Sequence, residues 1–345
     1  MRERERTVLH VLPHTGGGGE TYVDVLSAMP GYRFTRVHLA ASRSPGLGTL
    51  ARGMLDVARR VRAHDLLHVH GEAASALFLP LLAARPSVVT LHGLHLLRRS
   101  TGLQRKAAAL NLRAVVRAAS RTICVSNAER DALAAVVGRT AARRTLVVHN
   151  GARLPARTSA TERARVRKEL GLADSEVVGI WVGSLDERRD PVTVVRAAEQ
   201  TSTALLLVGD GPLRPQVERA AHGRVRVLGH RRDVPRLLAA ADFFVLISHR
   251  EGFSFALLEA MAHALPAVVA DVAENVEAVG DSGFAVPYGD EEAVAGAFRR
   301  LAGDDRERAA RGERARRRVA ELFDVEDMIA ATRAVYDDVL AERSS

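Results

Sequence analysis

The sequence is short of several things, and each shortage excludes something. Cys124 is the only cysteine in 345 residues. An intramolecular disulfide is therefore excluded, and a cysteine-built metal centre is not expected. Lysine occurs only at Lys106 and Lys168, so nearly all the positive charge is arginine. No apolar run reaches the roughly 18 residues that a membrane span needs. The longest, residues 75–84, is interrupted by Pro80. The N-terminus alternates Arg2, Arg4 and Arg6 with Glu3 and Glu5, then enters a strand-like stretch and a run of glycines. That is unlike the apolar core of a secretion signal. These features together predict a soluble cytoplasmic protein.

What is present fits a globular chain: 47% hydrophobic and 26% charged residues, at a length that suits two domains. The formal net charge is +9 and is unevenly spread. Residues 1–155 hold 23 basic and 9 acidic side chains, and the remainder is slightly acidic. Short apolar runs alternate with amphipathic segments throughout. Strands are predicted at 7–12, 36–40, 66–70, 87–91, 122–125 and 145–149, then at 177–182, 204–208, 225–228, 243–247 and 267–270. Helices are predicted between them, among them 20–28, 50–63, 102–119, 191–200, 212–221, 234–240, 253–264 and 291–301. Strands this apolar are buried on both faces, which means parallel sheets covered by helices. The expected fold is α/β, two doubly wound domains. The pattern lapses between Asn150 and Thr161, around Pro155 and Ser159. The expected division is 1–155, 156–324 and a C-terminal helix in 325–345 that packs back on the first domain. The arginine-rich stretch 306–318 reads as a solvated helix face rather than a nucleic-acid site.

Two stretches carry chemistry. The first is His14-Thr15-Gly16-Gly17-Gly18-Gly19-Glu20, between the first strand and first helix. Glycines let backbone approach a ligand, and a helix N-terminus offers free N–H groups to phosphate. It is not a dinucleotide fingerprint. The third glycine falls on Thr21 or Tyr22, and the second strand (Val37-His38-Leu39-Ala40-Ala41) ends without an acid. No Gly-Lys-Ser/Thr follows, so it is not a P-loop. A loop approaching phosphate or sugar, with Gly17 and Gly18 at its centre, and a tight turn without ligand remain the two readings.

The second stretch runs from Ser248 to Ala262: S-H-R-E-G-F-S-F-A-L-L-E-A-M-A. Glu251 follows a buried strand, at the carboxyl end where open α/β sheets bind ligands. Gly252 allows a tight turn, and Leu257, Leu258 and Met261 form a core-facing stripe. Glu259 lies about two helical turns on. The N–H groups around Phe253 and Ser254 can hold an anion between the two acids. One carboxylate then suits sugar hydroxyls and the other a ribose diol. An acid inside so apolar a helix needs a partner. The plain alternative is a surface acid at each place.

This stretch resembles the paired-glutamate motif of the retaining glycosyltransferases of glycosyltransferase family 4. Val208-Gly209-Asp210-Gly211-Pro212 resembles the family's turn after a donor-domain strand. Val227-Leu228-Gly229, Asp233, Ala241-Asp242-Phe243-Phe244-Val245, His149-Asn150-Gly151, Cys124-Val125-Ser126, Thr90-Leu91-His92-Gly93 and the Gly16–Glu20 loop follow the family order. The resemblance implies the GT-B fold, two Rossmann-like domains facing an interdomain cleft. The first would bind the acceptor and the second the nucleotide sugar.

Carried over residue by residue, the resemblance implies catalytic roles for His92, Glu251 and Arg189. It implies substrate contacts for Gly17, Gly18, Gly183, Ser184, Arg188, Gly209, Asp210, Gly252, Phe253, Ser254, Phe255 and Glu259. In Gly183-Ser184-Leu185-Asp186-Glu187-Arg188-Arg189, Ser184 replaces the family's usual arginine, and Arg189 or Arg188 replaces its usual lysine. Cations there stabilise a leaving nucleoside diphosphate, so Arg188 is the natural substitute for the missing one. The implied reaction moves a sugar, with retained anomeric configuration, from a UDP- or GDP-sugar to a hydroxyl acceptor. No cofactor and no metal are implied. A lysine Schiff base to pyridoxal phosphate, as in a phosphorylase, is excluded by the places of Lys106 and Lys168. The runner-up readings are a nucleotide-sugar-binding homologue with weak or no transfer, and a transferase for a small natural product. Arg98, Arg99, Arg105, Lys106, Arg113 and Arg117 make the first half basic. Such a face suits an anionic membrane surface or a phosphorylated acceptor, and a plain solubilising surface is the alternative reading. The expectation is a peripheral enzyme with a lipid-linked or envelope glycan as acceptor, and nucleic acid is not expected.

Overall fold

The computed structural model describes residues 4–40, 46–138 and 143–342. Arg2, Glu3 and Ala41 lie outside them. The chain divides into two compact units, Met1–Asn150 with Val325–Ser345, and Gly151–Asp324.

The first unit holds a parallel sheet of β1 (Arg6–Leu12), β2 (Tyr32–His38), β3 (Leu66–His70), β4 (Ser87–Thr90), β5 (Arg121–Cys124) and β6 (Thr145–Val147), ordered β2-β1-β3-β4-β5-β6. The second holds β7 (Val178–Val182), β8 (Ala204–Val208), β9 (Val225–Gly229), β10 (Phe243–Leu246), β11 (Ala267–Ala270) and β12 (Phe284–Val286), ordered β12-β11-β10-β7-β8-β9. Every pairing is parallel. The central strands β3, β8 and β10 are buried along their whole length. That is why β8 and β10 read as apolar runs rather than as alternating patterns, whereas β3 carries His68 and His70 into the interior. The doubly wound α/β architecture is the expected one. β12 was not anticipated, because it is three residues long and mostly not buried.

Some boundaries differ for local reasons. The first helix is Gly18–Leu26, not 20–28. Gly17 is its N-cap, and Glu20, three residues on, reaches back past it to accept the Gly16 N–H at 2.8 Å, which ties the residue before the cap to the first helical turn. The helix after Glu251 is Phe255–Ala262, starting two residues later than expected, because the Ser254 hydroxyl caps it by accepting the Leu257 N–H.

The arginine-rich stretch forms the helix Asp305–Leu322, but it is not simply a solvated face. Arg311 donates to the carbonyls of Asp281 and Gly283, and Arg318 donates to those of Glu277 and Ala278. Arg316 donates to the carbonyls of Ala262 and Pro155. These side chains staple loops of the second unit by satisfying free carbonyls.

In the first unit, the helix Val325–Ala341 lies against β4 and the first helix. Buried Tyr336 meets His68 at 2.6 Å, Thr332 meets Tyr22 at 3.3 Å, and Tyr32 donates to Asp337 at 2.7 Å. No helix among the described residues is long and apolar enough to cross a membrane.

Candidate functional site

The second unit gathers most of the candidate residues at the carboxyl ends of β7, β8 and β10. β7 and β10 are neighbours in the sheet, so the loops that follow them meet. Glu251, after β10, is only 4% exposed. Its Oε1 accepts a hydrogen bond from Ser248 Oγ at 2.9 Å. Arg188 Nη1 lies 3.3 Å from Oε2, and Arg189 Nε lies 3.2 Å from Oε1. The Arg189 contact pairs charge without hydrogen-bond alignment. Arg188 also donates to the Arg250 carbonyl at 3.1 Å. One buried carboxylate thus holds two guanidinium groups side by side, both partly accessible. A buried ion pair is tolerated when both charges find partners. The cluster places two cations where an anionic ligand can compete for them.

The glycines of the expected motif have packing reasons. A Cβ on Gly183 would fall 1.9 Å from Arg189 Nη1, so the absent side chain makes room for the guanidinium. Gly209 has φ +139°, and a Cβ there would lie 1.7 Å from the Gly183 carbonyl oxygen. The turns after β7 and β8 therefore press against each other, backbone to backbone. Asp210 is exposed and accepts from Gly211 N at 2.8 Å and Arg214 Nη1 at 2.9 Å. Ser184 is partly exposed between these turns, and its carbonyl accepts the Asp186 N–H.

Gly252 and Phe253 are buried, and the Phe253 ring packs edge-on against Phe323 with centroids 5.1 Å apart. Phe253 therefore anchors the turn into the core. Ser254 and Phe255 open the helix whose first N–H groups lie beside Glu251 in sequence. Glu259 sits on the same helix, half-buried, and burial alone pushes its carboxyl pKa up. No ion pair or side-chain hydrogen bond engages that carboxylate among the described residues. It is an acid with a burial cost and no partner.

Neighbours that the sequence reading missed complete this corner. The His249 ring packs on Tyr288 at 4.7 Å, and the Tyr288 hydroxyl donates to the Glu187 carbonyl at 2.9 Å. His249 N donates to the Arg188 carbonyl at 3.2 Å. Both contacts fix the loop that carries the arginines. Neither residue has a motif signal of its own.

In the first unit, Gly17 and Gly18 form the turn between β1 and the first helix, with Gly16 and Gly17 at positive φ. Burial raises the Glu20 carboxyl pKa, but the Gly16 N–H, His38 and Arg36 more than offset this and hold it below the usual range. His92 follows β4 in the left-handed region, φ +59°. A Cβ at Gly19 would lie 4.0 Å from His92 Nε2, so the glycine turn and His92 are neighbours. The loop after His92 is held by buried Glu129, which accepts the N–H groups of Gly93 and Val125. Ser126 caps Glu129 N at 3.0 Å. The Ser-x-x-Glu spacing of 126 and 129 is a capping-box signal that sequence alone carries. His10, His68 and His70 lie buried behind His92, and sequence reading missed all three.

Comparison with known proteins fits this geometry. Residues 8–154 match Glycosyltransferase Family 4, and residues 176–304 match Glycosyl transferases group 1. The chain is 33% identical over 189 residues to the N-acetyl-alpha-D-glucosaminyl L-malate synthase of Bacillus anthracis, covering 52% of this chain and 50% of that protein. It is 25% identical over 303 residues to the UDP-Gal:alpha-D-GlcNAc-diphosphoundecaprenol alpha-1,3-galactosyltransferase of Escherichia coli, covering 81% and 77%. It is 30% identical over 318 residues to the glycogen synthase of Mycobacterium tuberculosis (strain ATCC 25618 / H37Rv), covering 86% and 72%. Among solved structures, Anabaena Alr3699/HepE in complex with UDP and glucose superimposes with a TM-score of 0.80 at 22% identity, over 97% of this chain and 100% of that one. The fold is therefore GT-B, and the chain belongs to the group 1 glycosyltransferases of family 4.

Proposed function

We propose that the protein moves a hexose from a nucleoside diphosphate sugar, UDP- or GDP-linked, to a hydroxyl of a lipid-linked or envelope glycan, with retained anomeric configuration. The observation that carries this is the Glu251–Arg188–Arg189 cluster beside the Phe255–Ala262 helix that bears the unpartnered Glu259. In this reading Arg188 and Arg189 turn to the diphosphate, with Arg188 standing in for the arginine that Ser184 replaces. Leaving-group charge then meets two guanidinium groups and a helix end, so the diphosphate needs no metal. Glu259 takes the ribose diol, which gives its carboxylate the hydrogen bonds it lacks. Glu251 orients sugar hydroxyls, and His92 meets the reacting sugar from the first unit. The reaction needs no protein nucleophile, because the leaving phosphate can take the acceptor's proton.

The helix Gly102–Ala118 supports the acceptor half of the proposal. Lys106, Arg113 and Arg117 are exposed on it, and Leu103 and Leu110 are 82% and 62% exposed. The helical period puts all five on one stripe. Exposed leucines among cations suit an anionic lipid surface, and so a cytoplasmic enzyme held at the inner membrane face. The E. coli relative above acts, by its name, on a diphosphoundecaprenol-linked sugar.

The test is calorimetric or thermal-shift titration with UDP-, GDP-, ADP- and TDP-sugars, followed by product analysis and liposome co-sedimentation. Binding and turnover of one donor, with salt-sensitive binding to anionic vesicles, is expected. No response to any donor would overturn the enzymatic reading. Donor binding without hydrolysis or transfer would favour the binding-protein alternative that Ser184 suggests. Transfer to small hydroxyl compounds without vesicle binding would overturn the membrane part.

A further inference from the structure

Four histidines stand in line inside the first unit, and the proposed reaction uses one. His10 is on β1, His68 and His70 are on β3, and His92 follows β4. The parallel register sets His10 beside His68, and His70 beside Thr90. Residues two apart on a strand share a face, so the three strand histidines gather on one side of the sheet. All three are fully buried.

The contacts form two separate systems. His68 meets Tyr336 Oη with Nδ1 at 2.6 Å and Thr90 Oγ1 with Nε2 at 2.8 Å. The other system is a chain of imidazoles. His10 Nδ1 lies 2.9 Å from His70 Nε2, and His70 Nδ1 lies 2.8 Å from His92 Nε2. The chain ends inward at His10 Nε2, which is buried without a hydrogen-bond partner among the described residues. It ends outward at His92, the one member that is only part-buried.

Burial, with the mutual repulsion of the cluster, pushes the pKa values of His10, His68 and His70 well down. Burial and His95 lower that of His92 to about 3. Each ring is therefore neutral and carries one N–H. The orphaned His10 Nε2 then decides where the protons sit. A proton there would be a buried donor without an acceptor, a rarer and costlier defect than an unused lone pair. With the His10 proton on Nδ1, His70 Nε2 must accept, so the His70 proton is on Nδ1. His92 Nε2 must accept in turn.

We infer that His10 and His70 are positioning residues that fix His92 as its Nδ1–H tautomer, so that it meets the substrate as a neutral hydrogen-bond donor. The relay also holds the His92 ring on a backbone at φ +59°. A buried three-histidine metal centre at His10, His68 and His70 is the competing use of the same side chains, since one nitrogen of each lies within 4.8 Å of the others. Five of those six ring nitrogens are already hydrogen-bonded, so an ion would have to displace the relay.

The inference rests on the reading that His92 faces the sugar, but its main test does not. Long-range 1H–15N NMR spectra of histidine-labelled protein report each tautomer directly. The wild type is expected to show His92 as a single Nδ1–H tautomer, and His70→Phe and His10→Phe are expected to show mixtures. In both variants UDP binding should stay unchanged while kcat/KM falls about tenfold, the worth of one oriented hydrogen bond. An Nε2–H tautomer in the wild type would overturn the inference, without any variant needing to fold. So would an unchanged His92 tautomer in folded His70→Phe. Stoichiometric Zn2+ that shifts the His10, His68 and His70 lines together would replace the relay with the metal centre. If the tautomers are as expected but His92→Ala turns over donor like wild type, the catalytic reading of His92 fails and the relay stands.

Discussion

Glu259 offers a prediction in which stability and binding move in opposite directions. Its carboxyl pKa is raised by burial alone, so the folded protein holds its proton more tightly than the unfolded chain. Stability then falls as pH rises from the ordinary carboxyl range through the raised folded pKa. Above the raised folded pKa the whole cost is present. Glu259→Gln removes the charge and keeps the shape, so it should raise the unfolding midpoint at pH 7. The gain should vanish below about pH 4, where both states of the wild type are protonated. Binding should go the other way. Hydrogen bonds to a charged group are worth about 1.5–3 kcal/mol, so Glu259→Ala should weaken UDP binding roughly 10- to 150-fold. An amide keeps neutral hydrogen bonds of about half that strength, so Glu259→Gln should weaken it less. The assays are calorimetry with UDP and thermal melts at several pH values. A Glu259→Gln variant that is less stable than wild type at pH 7 would refute the burial argument. Unchanged UDP affinity in both variants would refute the ribose assignment.

Two further predictions follow from charges in the second unit. Arg188→Ala and Arg189→Ala should each be tolerated, because Glu251 keeps the other guanidinium and Ser248. The double variant should cost about 3–5 kcal/mol in urea unfolding, as a buried carboxylate loses both cations, and Glu251→Gln added to it should recover much of that loss; additive single effects would show that the two arginines do not share the acid. Arg318→Ala should destabilise the second unit by about 1–3 kcal/mol, because two carbonyls lose their donor, whereas exposed Arg317→Ala should stay within about 0.5 kcal/mol; equal effects would return the helix to a plain solvated surface.

The parts of this molecule that could be read from sequence are those whose cause is local. β8 and β10 announce themselves because both faces are buried, and the eight-residue step from Glu251 to Glu259 is fixed by one turn and one short helix. The pairing of Glu251 with Arg188 and Arg189 is not local. It depends on β7 and β10 being adjacent, and strand order is not written in any single segment. The same holds for the histidine chain: His10 and His70 meet only because β1 and β3 are neighbours. β12 escaped because three mostly unburied residues leave no periodic signal. The arginines of Asp305–Leu322 read as solvent-facing because sequence shows their charge but not the carbonyls they reach.

The helix Val325–Ala341 has a consequence for the order of events during synthesis. It is the last described element made, yet Tyr336 and Thr332 close the burial of His68 and Tyr22 in the unit made first. All six strands of the first sheet leave the ribosome before any of the second unit. Tyr22 of the first helix can already pack on His68, His70 and His92, but the His68 and Tyr22 polar atoms that Tyr336 and Thr332 meet must wait until the whole second unit has been translated. Domains that emerge first usually fold first. This one can assemble its sheet but cannot finish. The second unit therefore has every opportunity to fold to completion before the first, and the nascent chain is most exposed to chaperones and to aggregation on the part of the first unit that the helix Val325–Ala341 covers.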